Sequence, residues 1–338
     1  MRQIVIDENG GPEVMVLRDN PKPTPAPGEL LIRVKAAGVN FADILARLGI
    51  YPDAPPKPYV VGYEIAGMVE ATGHADDDDW LDREVFAMMK FGGYSEYVCV
   101  KTSQVVEKPR KLSFEEAAAI PVNYLTAYQL IVVMGGLRAG ESILIHNAGG
   151  GVGLAAIDVA NHVGAVIYGT ASSSKHMFLM KRGLDYPIDY RTQNWLSIVK
   201  QLTGGRGVEL VLDPIGGRNL KKSYKALRHT GRLGVFGMAG AVKRGSSAKW
   251  QLLKTVMQTP KFSPIRMMNG NKSVFGVHIG HMWHEPEKVH EWMLAISDGI
   301  REGWVRPHVD QTFPLEQAGE AHRYIEDRKN IGKVVLVM

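Results

Sequence analysis

The chain has 338 residues, a net charge of +5, 45% hydrophobic and 22% charged residues, and a single cysteine, Cys99. That length supports two domains with sizeable cores. One thiol rules out an internal disulfide framework and any multi-cysteine zinc module, which suits a reducing, cytoplasmic setting. The cations are scattered rather than gathered into a basic tract, so no nucleic-acid partner is expected.

In chain order, residues 1–14 (MRQIVIDENGGPEV) are too polar and interrupted for a signal peptide, and no apolar run approaches a membrane span. Residues 1–123 are rich in Gly and Pro and carry short β-like runs: 29–35 (ELLIRVK), 64–71 (EIAGMVEA) and 94–100 (YSEYVCV). Turn signals separate them, and the segment reads as a β-rich domain. HADDDD at 74–79 reads as a solvated loop, lacking the ligand spacing of a calcium loop.

From residue 140 the pattern becomes strand–helix alternation. ESILIHNA, AVIYGTA, YPIDY, VELVLDPIG and GRLGVFG are strands, with helices between them and a further strand at 273–280 (SVFGVHIG). Such alternation predicts an α/β fold, a doubly wound parallel sheet with helices on both faces. The tail holds two helical runs and the strand KVVLVM, which predicts a return to the first domain. The expected boundaries are 1–123 and 281–338 for the β-rich domain, and 124–280 for the α/β domain.

The glycine turn AGGGVG (148–153) lies between a strand and a helix and matches A-x-G-x-x-G through Ala148, Gly150 and Gly153. With Gly151 and Val152 it predicts a dinucleotide site: small residues let the backbone approach a pyrophosphate, and the following helix offers free N–H groups. An NAD site needs a carboxylate about 20 residues onward. No acid occurs between Asp158 and Asp185; the strand ends in GTASSSKH. Thr170, Ser172 and Lys175, with Tyr190 after the next strand, are instead a set suited to a 2′-phosphate. NADPH is the predicted cofactor.

Several segments carry a family resemblance. They are 36–52 (AAGVNFADILARLGIYP), 60–73 (VVGYEIAGMVEATG), 92–100 (GGYSEYVCV), 117–131 (AAAIPVNYLTAYQLI), 146–156 (HNAGGGVGLAA) and 331–336 (IGKVVL). Together they resemble the zinc-free quinone oxidoreductase branch of the medium-chain dehydrogenase/reductase superfamily, and 262–280 looks most like its vesicle amine transport protein type. The resemblance implies a GroES-like β-rich catalytic domain beside a Rossmann domain. The positions of zinc ligands in zinc-dependent relatives are matched here by Asn40, Tyr63 and Val122, which cannot make a tetrahedral N/S site, so no metal is expected. The histidines 278, 281, 284 and 290 lack zincin spacing and read as ordinary strand-end and helix-start residues.

By the same resemblance, Asn40 faces nicotinamide and substrate, and Tyr51 lies near the substrate as a donor of a hydrogen bond or a proton. Thr126, Phe236, Gly237, Phe275, Val277 and Asn330 match cofactor-contacting positions. The implied activity is hydride transfer from NADPH to a small electrophilic substrate, a quinone or an α,β-unsaturated carbonyl compound. The rivals are an enoyl-thioester reductase and a non-catalytic NADPH-binding sensor or scaffold. Relatives pair through the last strand of the nucleotide-binding sheet, so a homodimer through 273–280 is expected.

Overall fold

The computed structural model describes residues 1–242 and 247–338. Among them the strands are β1 (Arg2–Ile6), β2 (Met15–Asp19), β3 (Glu29–Val39), β4 (Glu64–Thr72), β5 (Glu84–Met88), β6 (Tyr97–Lys101), β7 (Val105–Glu107), β8 (Ser142–His146), β9 (Val166–Ala171), β10 (Tyr186–Asp189), β11 (Val208–Asp213), β12 (Leu227–Val235), β13 (Ser273–Gly276), β14 (Val309–Pro314) and β15 (Lys333–Val337). They divide between two compact units. The first comprises Met1–Leu125, Gly280–Glu302 and Pro307–Met338; the second comprises Thr126–Ile279 and Gly303–Arg306.

The first unit is built on a sheet of order β14-β15-β3-β4-β5-β7, with β6 also pairing β3 and a separate β1–β2 hairpin. Strand β3 is its spine, antiparallel to β4, β6 and β15. Its apolar residues Leu30, Ile32 and Val34 point to a core that also takes Ile4, Ile6, Val61, Ile65, Val85 and Leu336. The C-terminal strand β15 lies between β14 and β3 in this sheet.

The second unit holds a six-stranded sheet, β10-β9-β8-β11-β12-β13, in which every neighbouring pair is parallel. This is the doubly wound order predicted from the alternation, with the strand order reversing on either side of β8. The central β8 is apolar and buried along Ile143–Ile145, as a strand covered on both faces must be. Helix Gly151–Val163 follows it and ends at Gly164, whose left-handed φ of 82° closes the last turn.

The structure adds local detail to these expectations. Residues Ala75–Trp80 form a largely exposed 3-10 segment within the expected solvated stretch, with His74 Nδ1 accepting from Asp76 N–H at 3.2 Å. The last strand of the parallel sheet stops at Gly276, and Ile279–His284 is 3-10 helical, because the Val277 N–H makes the final bond to Val235. Strand β14 goes unread in the sequence because VDQTFP is half exposed and carries no apolar alternation. Within the expected return segment, Gly303–Arg306 packs in the second unit: Trp304 stacks on His162 at 4.6 Å between rings, and Arg306 pairs with buried Asp158 at 2.8 Å.

Candidate functional site

In the second unit the site begins where β8 ends. Asn147 has φ of 54°, the Ala148 N–H returns to Thr170 O at 3.1 Å, and the Gly150 N–H returns to Asn147 O at 2.9 Å. The chain then enters helix Gly151–Val163, whose N-cap, Gly150, supplies no side-chain acceptor. The first-turn N–H groups thus remain for a ligand, reinforced by the helix dipole. Gly153 is a steric necessity, whereas Gly149 borders a side chain. A Cβ on Gly153 would lie 2.4 Å from Asn147 O and 2.6 Å from Ala148 O, and one on Gly149 would lie 2.8 Å from Lys175 Cδ. The second contact lays the Lys175 side chain across the glycine turn.

Behind the turn lies a buried polar chain that sequence reading did not find. Ser223 Oγ donates to Asp213 Oδ2 at 2.6 Å, so its only proton is committed. His146 Nε2 at 3.1 Å must therefore donate to Ser223 Oγ, and the bare Nδ1 accepts from Thr170 Oγ1 at 3.0 Å. Burial lowers the His146 pKa from its usual value, against the charge of Asp213, and holds the ring neutral. Trp195 closes over the ring at 4.5 Å between centroids. Asp213 also accepts from Asn219 Nδ2 at 2.9 Å and from the N–H groups of Ile215 and Gly216. The ends of β8, β9 and β11 are thereby tied together. Thr170, a residue the sequence points to as a cofactor contact, has its hydroxyl turned inward on His146.

At the end of β9 the polar rim continues. Ser172 Oγ lies 3.3 Å from Ser174 Oγ, and Lys175 N–H bonds Ser172 O at 2.9 Å. Tyr190 follows β10 and is exposed. Asp189 was not singled out from the sequence. Its Oδ1 accepts from the Arg191 N–H at 2.9 Å, which holds the carboxyl below the usual range, helped by side-chain donors from Thr192 and Ser173. It anchors the loop that carries Tyr190.

Elsewhere in this unit, Phe236 and Gly237 follow β12, with the Phe236 N–H on Asp213 O at 3.2 Å. The Phe275 ring lies over Gly234, where a Cβ would meet it at 2.9 Å, and Val277 is buried. Thr126 is buried in helix Pro121–Tyr128.

In the first unit Asn40 precedes helix Phe41–Arg47. Its Nδ2 donates to Glu64 Oε1 at 2.8 Å, and its Oδ1 accepts from Lys333 Nζ at 2.7 Å. Lys333 also pairs with Glu64, whose Oε2 accepts from Val122 N–H at 2.7 Å. Asp43 Oδ2 accepts from Asn40 N–H at 2.7 Å and Tyr94 O–H at 3.1 Å, and its Oδ1 accepts from Gly62 N–H at 2.9 Å. Burial nonetheless pushes the Asp43 carboxyl up to about 7. The Tyr94 oxygen in turn lies 3.1 Å from His322 Nε2, and burial keeps that histidine neutral.

Tyr51 is half buried against Tyr63, ring centroids 6.0 Å apart. Burial, with the nearby Asp53 charge, pushes its hydroxyl up to about 12. A phenol held protonated in this way keeps its O–H near neutral pH and can offer it as a hydrogen-bond donor. Asn330, in the same unit, donates to Gly332 O at 2.8 Å. His281 makes an exposed pair with Asp53 at 2.7 Å.

Glu64 and Lys333 both stand in the quoted motifs, but nothing in their spacing joins them: 269 residues separate them. Only the pairing of β15 with β3 brings Lys333 to Asn40.

Comparison with known proteins finds two family matches along the chain. Residues 26–110 match the alcohol dehydrogenase GroES-like domain family, and residues 182–336 match the family described as zinc-binding dehydrogenase. The chain is 38% identical to the synaptic vesicle membrane protein VAT-1 homolog of Danio rerio, over 99% of this chain and 69% of that protein. It is 32% identical to human quinone oxidoreductase, over 100% of this chain and 98% of the other. The crystal structure of Escherichia coli quinone oxidoreductase complexed with NADPH superposes with a TM-score of 0.87 at 27% identity, covering 100% of both chains. The chain belongs to the medium-chain dehydrogenase/reductase superfamily, in its quinone oxidoreductase branch alongside the VAT-1-type proteins.

Proposed function

We propose that the protein is an NADPH-dependent reductase of quinones or α,β-unsaturated carbonyl compounds that works without a catalytic zinc. The observation that carries the reading is Lys175 laid over the glycine turn, beside Ser172, in a stretch with no carboxylate between Asp158 and Asp185. A ribose hydroxyl pair would find no acceptor acid there, whereas a 2′-phosphate meets a cation and small donors. The NADPH complex of the E. coli relative supports the same cofactor.

Bound NADPH supplies the hydride. The chain supplies the rest: the turn at 148–153 fits a pyrophosphate, the helix Gly151–Val163 faces it with N–H donors, and Lys175, Ser172 and Tyr190 take the phosphorylated ribose. Asn40 and Tyr51 donate hydrogen bonds to the acceptor oxygen as negative charge develops on it. The proton that completes reduction comes from water or from the Tyr51 hydroxyl, which at about 12 is still a stronger acid than water and regains its proton from solvent. The residues at the zinc positions do not fit the ion. Asn40 Oδ1 already holds an ammonium, Tyr63 offers a phenol whose pKa burial raises, and Val122 offers no ligand atom. An acceptor already electron-poor needs no Lewis acid.

The test is NADPH oxidation followed with an ortho-quinone and with a simple enone, each repeated with NADH. Turnover with NADPH and much weaker turnover with NADH is the expected result. Lys175→Ala should lower the NADPH-over-NADH preference by about 10–100-fold, the worth of one charge-assisted contact. Tight NADPH binding with no turnover on either acceptor would replace this reading by the sensor or scaffold. Equal use of NADH by the wild type would remove the phosphate assignment.

A homodimer through β13 belongs to the same proposal. That strand closes one edge of the six-stranded sheet and pairs only with β12 among the described residues. An open edge invites a second strand. Sedimentation equilibrium should give twice the 37.2 kDa chain mass; monomer at micromolar concentration would sink the dimer. No described helix is long and apolar enough to cross a membrane. A cytoplasmic setting completes the proposal and rests on the lone cysteine and a reducing cofactor.

A further inference from the structure

Asn40, Glu64 and Lys333 form a closed hydrogen-bonded ring in the first unit. Lys333 Nζ donates to Asn40 Oδ1 at 2.7 Å, Asn40 Nδ2 donates to Glu64 Oε1 at 2.8 Å, and Lys333 pairs with that same carboxylate oxygen. Glu64 Oε2 is held by the Val122 N–H at 2.7 Å, so the carboxylate cannot swing away. All three side chains are buried; Glu64 and Lys333 are 0% and 3% exposed, and Asn40 keeps an 8% opening.

The backbone is shaped around this ring. A Cβ at Gly38, within β3, would lie 2.6 Å from Glu64 Oε1 and 2.7 Å from Lys333 Cε. The strand forgoes a side chain there, at a cost in its own stability, and the pair fills the space. A buried ion pair is weak evidence for stability, because apolar residues of similar volume serve as well or better. Its worth has to be sought in what it fixes.

What it fixes is one carboxamide. An ammonium can only donate and a carboxylate can only accept. Turning the Asn40 amide over would set its NH2 against Lys333 and its oxygen against Glu64, so a single orientation survives. In that orientation the oxygen is occupied by a cation, and one N–H is occupied by Glu64. Among the described residues the second N–H meets Gly38 O at 3.4 Å, a long and weak contact. Charge at both ends of the amide also polarises it and strengthens that remaining donor.

We infer that Glu64 and Lys333 are positioning residues that lock Asn40 so that it meets the acceptor oxygen as an N–H donor and never as a carbonyl. This rests on the reading of Asn40 as a group that touches the acceptor. An unlocked amide would present its own oxygen to the acceptor oxygen part of the time, and lone pair would face lone pair.

The test is a mutational cycle in the full chain: wild type, Asn40→Ala, Glu64→Gln/Lys333→Met, and the three substitutions together. The pair is removed as a unit because Lys333→Met alone would leave a buried carboxylate uncompensated. In the double variant the carboxamide introduced by Glu64→Gln can still accept from Val122 N–H, while its NH2 faces Asn40 and favours the inverted amide. Asn40→Ala is expected to lower kcat about 10–100-fold in the wild-type background. The double variant should lose a similar factor, and adding Asn40→Ala to it should cost less than about twofold more. NADPH affinity, read from nicotinamide fluorescence, should stay within about threefold between the wild type and the Glu64→Gln/Lys333→Met variant, both of which keep Asn40, since the loss falls on kcat.

Equal cost of Asn40→Ala in both backgrounds, or wild-type kcat in the double variant, overturns the inference. Should the double variant fail to fold, Glu64→Gln alone replaces it, and unchanged kcat there overturns the inference equally. A wild type that turns over no acceptor defeats the proposed function instead. The ring is then read directly from the side-chain amide resonances of asparagine-labelled protein. A downfield Asn40 proton that is lost in Glu64→Gln supports the lock, and its absence from the wild type overturns it.

Discussion

Gly153→Val is expected to lower NADPH affinity by about 100-fold or more, the equivalent of roughly 3 kcal/mol. The added Cβ would lie 2.4 Å from Asn147 O and 2.6 Å from Ala148 O, distances no side chain tolerates. Both obstructing atoms belong to the backbone, so neither can rotate aside. Relief requires the helix Gly151–Val163 to move off the end of β8, and this displaces the N–H groups aimed at the pyrophosphate. The rest of the sheet has its own supports in the Thr170–His146–Ser223–Asp213 chain, so far-UV circular dichroism should change little. Calorimetric titration with NADPH decides the matter. An affinity within about threefold of wild type would show that the turn is not the pyrophosphate seat.

Asp43→Asn is the second large effect, and it falls on stability. Asp43 is fully buried and receives the N–H groups of Asn40 and Gly62 and the hydroxyl of Tyr94. Asparagine can keep its oxygen toward Asn40 and Tyr94, but its NH2 then confronts the Gly62 N–H, leaving two buried donors unpaired. The expected loss is about 2–4 kcal/mol.

Its pH dependence is informative. Burial pushes the carboxyl up to about 7, so the folded protein holds this proton more tightly than the unfolded chain does. The resulting stabilisation is complete below about pH 4 and is lost as pH rises through about 7. The Tm gap between wild type and Asp43→Asn should therefore be widest near pH 4–5 and narrow toward pH 8. A gap that widens instead would mean that the three donors outweigh burial and that Asp43 is most stable ionised.

The fold was legible because its signals are local and repetitive. Five apolar runs alternate with helical runs after residue 140, and a parallel doubly wound sheet is the arrangement that buries both. The glycine turn was equally legible, since its steric demand is met within six consecutive residues. The absent acid after β9 could be read because a position in a strand-to-helix turn has a fixed relation to the turn before it. Strand β14 escaped because VDQTFP, half exposed, carries no period.

By itself, the sequence determined the two-part organisation, the dinucleotide turn and the residues offered at its rim, all of them consequences of periodicity and of short-range sterics. Tertiary structure alone decided what those residues are free to do. It turned Thr170 inward to complete a histidine's hydrogen bonds, and it laid Lys175 across Gly149. It also carried Lys333 across the chain to β3, where with Glu64 it fixes the Asn40 amide. Hydrogen-bond partners in a buried site are chosen by proximity in space, and strand pairing between distant segments leaves no trace in their spacing.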